Sequence, residues 1–238
     1  MHIEVIQEGE YDFPYHHLVA INPFSEVQHL FWGYKYGAYV EKILDEVSKF
    51  NFDSLIDIGC GDGKITYEIG RRFPDKRLVG VDYSEKSLRF ARAFAPHLTF
   101  AEKSEDTFDG FVLIEVIEHI SPPEMDTFLD SVTANLKTGA FGVISTPCDN
   151  VPLIPKHFQH FNKESITKVL EKHFDIVSFE YTAAQTLGVY LIGRLLANRF
   201  FILNSRPMVK WLYDFYKRHY LIATSKNATQ VFVVVQKK

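Results

Sequence analysis

Apolar positions along the chain switch repeatedly between two periods, and the switching predicts an architecture. From about 32 to 50 they return at helical spacing (Tyr36, Tyr39, Val40, Ile43, Leu44, Val47), which predicts an amphipathic helix. Residues 54–58 read as a short buried strand that runs straight into glycines. A helix follows at 63–73, closed by Pro74, and then a strand at 77–82. Ser84 with Glu85 opens the next helix, a serine cap followed by an early acid. Strands are expected near 98–101, 110–114 and 140–146, with a helix near 123–136 entered through Pro122 and Pro123. After a loop at 151–161 come a helix near 163–173, a strand at 174–181, an apolar and basic helical stretch over 184–222, and a last strand at 231–236. The first thirty residues, aromatic and His-rich with Pro14 and Pro23, show no sustained period and read as an irregular arm. Strands separated by helices imply right-handed βαβ units and a mostly parallel sheet covered on both faces.

Length and composition narrow this to one domain. The 238 residues suit one large α/β domain with an insertion, and 46% apolar against 24% charged residues describe a well-filled core, not a disordered chain. Residues 1–5 carry neither a basic start nor a long apolar run, so no secretory signal is visible and a cytoplasmic protein is expected. Cys60 and Cys148 are too few for a disulfide framework or a structural zinc site, and both are expected to be free thiols. The net charge of −4 is unevenly spread: residues 1–182 carry 17 Lys and Arg against 29 Asp and Glu, residues 183–238 carry 9 against 1. The C-terminal part therefore either meets something anionic or is attracted to the acidic remainder of the chain.

The chemistry concentrates first in DIGCGDG, residues 57–63, between a strand and a helix. Gly59, Gly61 and Gly63 permit backbone angles closed to other residues and let the main chain approach a ligand. A dinucleotide fingerprint would place its third glycine at 64, which is Lys64, so a pyrophosphate site is disfavoured. Asp57, two residues before the first glycine, suits a ligand carrying an ammonium and a sulfonium. Asp82 ends the second strand, 19 residues after Gly63, where a carboxylate can accept hydrogen bonds from both hydroxyls of a ribose. Glycines that only make a tight turn are the plain alternative.

On these residues the segment from about 53 to 181 resembles the class I, Rossmann-like S-adenosylmethionine-dependent methyltransferases in order and spacing. The resemblance implies a doubly wound, seven-stranded α/β sheet with its last strand antiparallel and a cofactor across the carboxyl ends of the strands. It implies that Asp57, Gly59, Cys60, Gly61 and Gly63 surround the methionine part of S-adenosyl-L-methionine, that Asp82 holds the ribose and that Tyr83 flanks the adenine. It divides the single domain into an N-terminal arm and helix (1–50), a cofactor-binding core (51–182), a helical lid or insertion (183–228) and the last strand (229–238). One departure stands out. Similar enzymes place an Asp after the third strand for the adenine amino group, whereas this chain has Ser104 near that place, with Glu102, Glu105 and Asp106 as substitutes.

A second concentration is EVIEHI with Glu115, Glu118 and His119, joined by KHFQHF with His157 and His160, both at carboxyl ends of strands. In one reading Glu115 approaches the methionine end of the cofactor while His119, His157 or His160 is a general base, histidine titrating near neutrality. In another, Glu115, Glu118, His119 and His160 ligate a divalent cation. The EVIEH run resembles the metal site of small-RNA 3′-terminal 2′-O-methyltransferases, although the aromatic run after the later histidine there is HFNKES here. His119 merely bracing the next helix is the third reading.

The stretch 186–222 mixes Leu, Phe, Tyr and Trp with Arg194, Arg199, Arg206, Lys210, Lys217 and Arg218. Arginines inside its most apolar part argue against a membrane span and leave a substrate lid, a membrane-surface contact or an oligomer interface. The expected activity is O-methylation of a hydroxyl on a small-molecule or glycan-type acceptor. A metal-assisted RNA 2′-O-methyltransferase is the alternative, disfavoured because the acidic body repels nucleic acid. A non-catalytic subunit with a cofactor fold is the other, disfavoured by the three intact glycines.

Overall fold

The computed structural model describes residues 25–198 and 200–238, with side chains from 33 onward. Seven strands form one sheet in the order β3-β2-β1-β4-β5-β7-β6. They are β1 (Ser54–Ile58), β2 (Arg77–Val81), β3 (Thr99–Ala101), β4 (Phe108–Ile114), β5 (Leu136–Pro147), β6 (Phe174–Ala184) and β7 (Ala228–Lys237). β1 to β5 pair in parallel, and β7 runs antiparallel to both β5 and β6. This is the Rossmann-like arrangement expected from the sequence.

Both faces of the sheet are covered, and the central strands are apolar on both sides for that reason. Phe111 and Leu113 of β4 join Ile144, Val233 and Val235 beneath α4 (Met125–Ala134) and α5 (Lys163–Leu170). Val112 faces the opposite way, with Val143, Phe232 and Val234, under α1 (Ser25–Val47) and α2 (Lys64–Arg72). α3 (Glu85–Phe94) closes a smaller cluster of Cys60, Leu88, Ala91 and Phe100 at the β3 edge. Both cysteines are free and buried.

Several boundaries differ from the sequence expectation, among them β5, which begins at Leu136 and not at 140. The arm read over the first thirty residues lies outside the described residues up to 24, Tyr11, Phe13, Tyr15, His16 and His17 included; from Ser25 the chain is already helical, since no Pro or Gly interrupts it between Pro23 and Gly33. β6 and β7 extend beyond 174–181 and 231–236, because their antiparallel ladder continues to Ala184 opposite Ala228, past the part that covers the core. The stretch 184–222 is not one helical run. It divides into α6 (Leu187–Leu196) and α7 (Arg206–His219), with Pro207 in the first turn of α7. Both helices pack on Tyr34 and Ala38 of α1 through Val189, Ile192, Leu212 and Tyr216.

Phe111 is fully buried, and its ring lies 5.4 Å from that of Phe174. Phe111→Ala is expected to lower unfolding free energy by about 3–5 kcal/mol, read as a shifted urea midpoint. Val177→Ala, at an exposed position of β6, should change it by less than about 0.5 kcal/mol.

Candidate active site

Loops leaving the carboxyl ends of the strands enclose a cavity of about 990 Å³ where the strand order reverses between β1 and β4. Its near wall is the glycine turn. Gly59, Gly61 and Gly63 have φ of 75°, 55° and 80°, in the left-handed region that glycine enters at least cost. Gly59 is constrained twice, because a Cβ there would lie 2.4 Å from Cγ2 of Val116 in the loop after β4. The turn is bolted to β2: the amides of Gly59 and Cys60 donate to the Val81 carbonyl, and the amide of Gly61 donates to Asp82 Oδ2 at 2.9 Å. Asp82 Oδ1 accepts from the Ser84 amide.

Asp57 lies beneath the turn and accepts from the Thr66 hydroxyl at 2.6 Å. Burial pushes its carboxyl up to about 7, with the Thr66 hydrogen bond pulling down and the charge of Asp82 adding to the rise. Tyr83 leaves 55% of its surface exposed at the cavity mouth. Of the candidates after β3, Glu102 and Ser104 line the cavity. Asp106 turns away to pair with Arg77, and Glu105 is not among the lining residues.

The far wall holds the acids and histidines. Glu115, at φ 58°, places one carboxylate oxygen where Tyr39, Ser145 and Gln230 all donate to it at 3.2 Å. Glu118 is 1% exposed; its Oε2 accepts from Thr146, and its Oε1 has no hydrogen-bond partner. Burial raises both acids, Glu115 raising Glu118 further, while the ammonium of Lys156 pulls both down.

Backbone carbonyls fix the histidine tautomers, because a carbonyl only accepts. His160 must donate from Nδ1 to the Val151 carbonyl at 2.8 Å, so its Nε2 accepts from Nδ1 of His157 at 2.7 Å. The basic nitrogen of His157 is then Nε2. His119 likewise donates from Nδ1 to the Lys156 carbonyl at 2.9 Å. Burial, then the charges of His119 and His160, lower His157 to about 3. The loop bearing His157 and His160 is pinned around these rings: Phe161 donates its amide to the Pro147 carbonyl, and the Phe158 amide donates to the Glu118 carbonyl.

Of the three histidines named from the sequence, His119 and His157 line the cavity and His160 stands behind His157. The expected metal quartet of Glu115, Glu118, His119 and His160 is not assembled as such. Among the described residues, Glu118, His119 and His157 bring ligand atoms within 4.8 Å of one another, while Glu115 and His160 are held by other partners. Tyr36, Tyr39 and Lys156 also line the cavity. The tyrosines were legible only as part of the apolar face of α1. Among the described residues none of 183–228, the expected lid, lines the cavity; the cover comes from α1 and residues 154–158.

Comparison with known proteins agrees with this geometry. A family model described as a methyltransferase domain matches residues 29–184. Trans-aconitate 2-methyltransferase of Yersinia pseudotuberculosis is 50% identical over 48 residues, 20% of this chain and 19% of that protein. The namesake from Afipia carboxidovorans is 37% identical over 60 residues, 25% of this chain and 23% of that one. The matched stretch thus spans about a fifth of these relatives. The N-methyltransferase NodS of Bradyrhizobium japonicum, solved with S-adenosylhomocysteine, superposes with a TM-score of 0.62 at 14% identity, covering 100% of this chain and 99% of its own. A Burkholderia thailandensis 1,6-didemethyltoxoflavin-N1-methyltransferase gives 0.54 at 15% identity, covering 84% and 76%.

The raised Asp57 has a consequence for stability. An acid whose folded pKa lies above its unfolded value near 3.8 stabilises the fold fully only below that value, and the contribution is lost as pH rises through about 7. Asp57→Asn is therefore expected to stabilise the unliganded protein at pH 8 by about 2–4 kcal/mol, with the gain vanishing below about pH 4. Urea titrations at the two pH values measure it, and an equal gain at both would remove ionisation as the cause. A buried acid beneath a glycine turn at the sheet's switch point and the family match over 29–184 together place the chain in the class I S-adenosylmethionine-dependent methyltransferase family.

Proposed function

We propose that the cavity transfers a methyl group from S-adenosylmethionine to a hydroxyl of a small, glycan-type acceptor in the cytoplasm, with His157 as the proton acceptor. The tautomer chain supports this reading over His160: Val151 carbonyl, His160 and His157 in series leave the basic Nε2 on His157, which lines the cavity together with His119. Bound S-adenosylmethionine supplies an electrophilic methyl carbon on a sulfonium. Asp57 and the turn Gly59, Cys60, Gly61 and Gly63 surround its methionine part, Asp57 offering negative charge to a ligand that carries two positive groups. Asp82 accepts from the ribose hydroxyls, Tyr83 flanks the adenine, and Ser104 with Glu102 meets the adenine amino group. Glu115 faces the methionine end, held by Tyr39, Ser145 and Gln230.

The acceptor lies between the tyrosines of α1 and the loop bearing His157. Aromatic faces beside Lys156, His119 and Glu118 suit a molecule with apolar C–H surfaces and several hydroxyls. The acceptor oxygen forms the new bond to the methyl carbon, the sulfur–carbon bond breaks, and the hydroxyl proton passes to His157 Nε2. Alignment supplies most of the acceleration and the base a further part. Depressed to about 3, His157 is unprotonated near neutral pH but a weak base, so it takes the proton as the oxygen–methyl bond forms and the hydroxyl turns acidic.

A second reading, metal-assisted 2′-O-methylation of RNA, is favoured by the grouping of Glu118, His119 and His157. Opposing it is the ammonium of Lys156, which already supplies positive charge to both glutamates. Turnover that survives chelation, on hydroxylated small molecules and not on RNA, is the expected result.

Asp82→Ala is expected to weaken S-adenosylhomocysteine binding by about 1.5–3 kcal/mol, measured by calorimetric titration; unchanged affinity removes Asp82 from the ribose. Once hydroxylated acceptors have been screened by S-adenosylhomocysteine release, His157→Ala should lower kcat by about 10²–10⁴ with cofactor affinity kept. At saturating cofactor the wild-type kcat should stay level down to about pH 5. A loss of activity centred near 6.5 would place the base on another histidine.

A further inference from the structure

Eleven of the seventeen exposed large apolar side chains among the described residues lie between 187 and 222. On α6 the inward face of Val189, Ile192 and Leu196 packs in the cluster with α1 and α7. Its outward face is equally apolar, with Leu187 73%, Leu191 50% and Leu195 54% exposed at helical spacing. A helix apolar on all sides belongs in apolar surroundings, and protein provides them on one side only. Phe201 in the connection to α7 is 50% exposed, and on α7 Trp211 is 62% exposed and stacks on Phe215. This apolar surface carries net positive charge: among the described residues α6 and α7 hold Arg194, Arg206, Lys210, Lys217 and Arg218 against Asp214 alone, with Lys210 paired to Asp214, Lys217 paired to Glu41 of α1, and the three arginines exposed. Arg194 in the last turn of α6 and Arg218 in the last turn of α7 are both exposed.

We propose that α6, α7 and their connection form a docking surface for an anionic lipid bilayer, lying in its interfacial plane. No helix among the described residues is long and apolar enough to cross a membrane, so the contact is peripheral. Charge selects the occupant. A second copy docking through the same face would oppose two positive surfaces, as the symmetry of a closed dimer requires. An anionic bilayer meets both properties at once: acyl chains take the leucines and aromatic rings, and headgroups take the arginines. α1 connects this surface with the cavity, because Tyr34 and Ala38 pack under α6 and α7 while Tyr36 and Tyr39 line the cavity wall. The proposal stands independently of the acceptor and of the methyl-transfer chemistry.

The test is co-sedimentation of the full chain with vesicles of phosphatidylcholine alone or mixed with phosphatidylglycerol. Binding to the mixed vesicles should exceed that to the neutral ones by at least about tenfold and should fall as salt rises. Each basic residue at such a surface contributes about fivefold. Arg194→Glu with Arg218→Glu, and separately Leu191→Asp with Trp211→Ala, should each cost at least about tenfold. All four side chains are exposed, so the urea midpoint and S-adenosylhomocysteine affinity of both variants should match wild type, which separates loss of docking from loss of fold or cofactor. Equal binding to both vesicle types, or none, overturns the proposal. A concentration-dependent dimer that Leu191→Asp dissolves, without vesicle binding, also overturns it and gives the face to a second copy.

Discussion

The crevice depends on how closely two loops approach where they leave the sheet. β1 and β4 are neighbours, and Gly59 after β1 presents bare backbone to Val116 after β4, so close that a single added carbon would sit 2.4 Å from a valine methyl. One loop carries the glycine turn and the other carries Glu115, Glu118 and His119. Their contact sets the distance between the near wall, where the proposed reading puts the cofactor, and the far wall, where it puts the acceptor. Methyl transfer asks chiefly for that distance and its direction. The rest of the molecule keeps it constant: a doubly covered parallel sheet below, the Val81 and Asp82 anchors on one side, and the Ser145 carbonyl that accepts the Glu115 amide on the other.

Around this contact the protein buries acid without burying an equal amount of base. Asp57, Glu115 and Glu118 are all raised by burial, and Lys156 is the cation that lowers the latter two. Such groups reduce the stability of the unliganded fold at neutral pH. The strain at Glu115, a non-glycine residue at φ 58°, adds to the cost. The electrostatic cost falls where a ligand bearing positive charge would relieve it, which is the pattern of a site built for its complex and not for its empty state.

How far the sequence foretold this follows from which interactions are local. β1, β2 and β4 were legible because central strands buried on both faces read as unbroken apolar runs. Their glycine turn was legible because positive φ restricts the choice of residue. The extra length of β6 and β7 was not, since half-exposed residues such as Thr229 and Gln230 are held in strand by their ladder and not by burial. Nor was the choice among three histidines. EVIEHI and KHFQHF indicated the crevice, but which nitrogen of each ring is left basic is decided by the Val151 and Lys156 carbonyls, whose positions come from how the 148–161 loop is pinned. Tyr36 and Tyr39 are ambiguous for the opposite reason: a tyrosine on a buried helix face reads as core whether its hydroxyl meets a cavity or another side chain.

α1 joins these separate parts. Ile43 and Val47 cover the sheet, Tyr39 holds Glu115, Tyr36 walls the cavity, and Tyr34 with Ala38 supports α6 and α7. A helix that packs on three partners has little freedom to shift along any one of them. Force applied to the outer surface of α6 and α7 therefore reaches the cavity through a rigid element, and a displacement of α1 large enough to move Tyr34 would also move the hydroxyl that hydrogen-bonds Glu115. The cavity wall and the basic apolar surface in this sense share one helix, and whatever settles on that surface lies one helix away from the cavity.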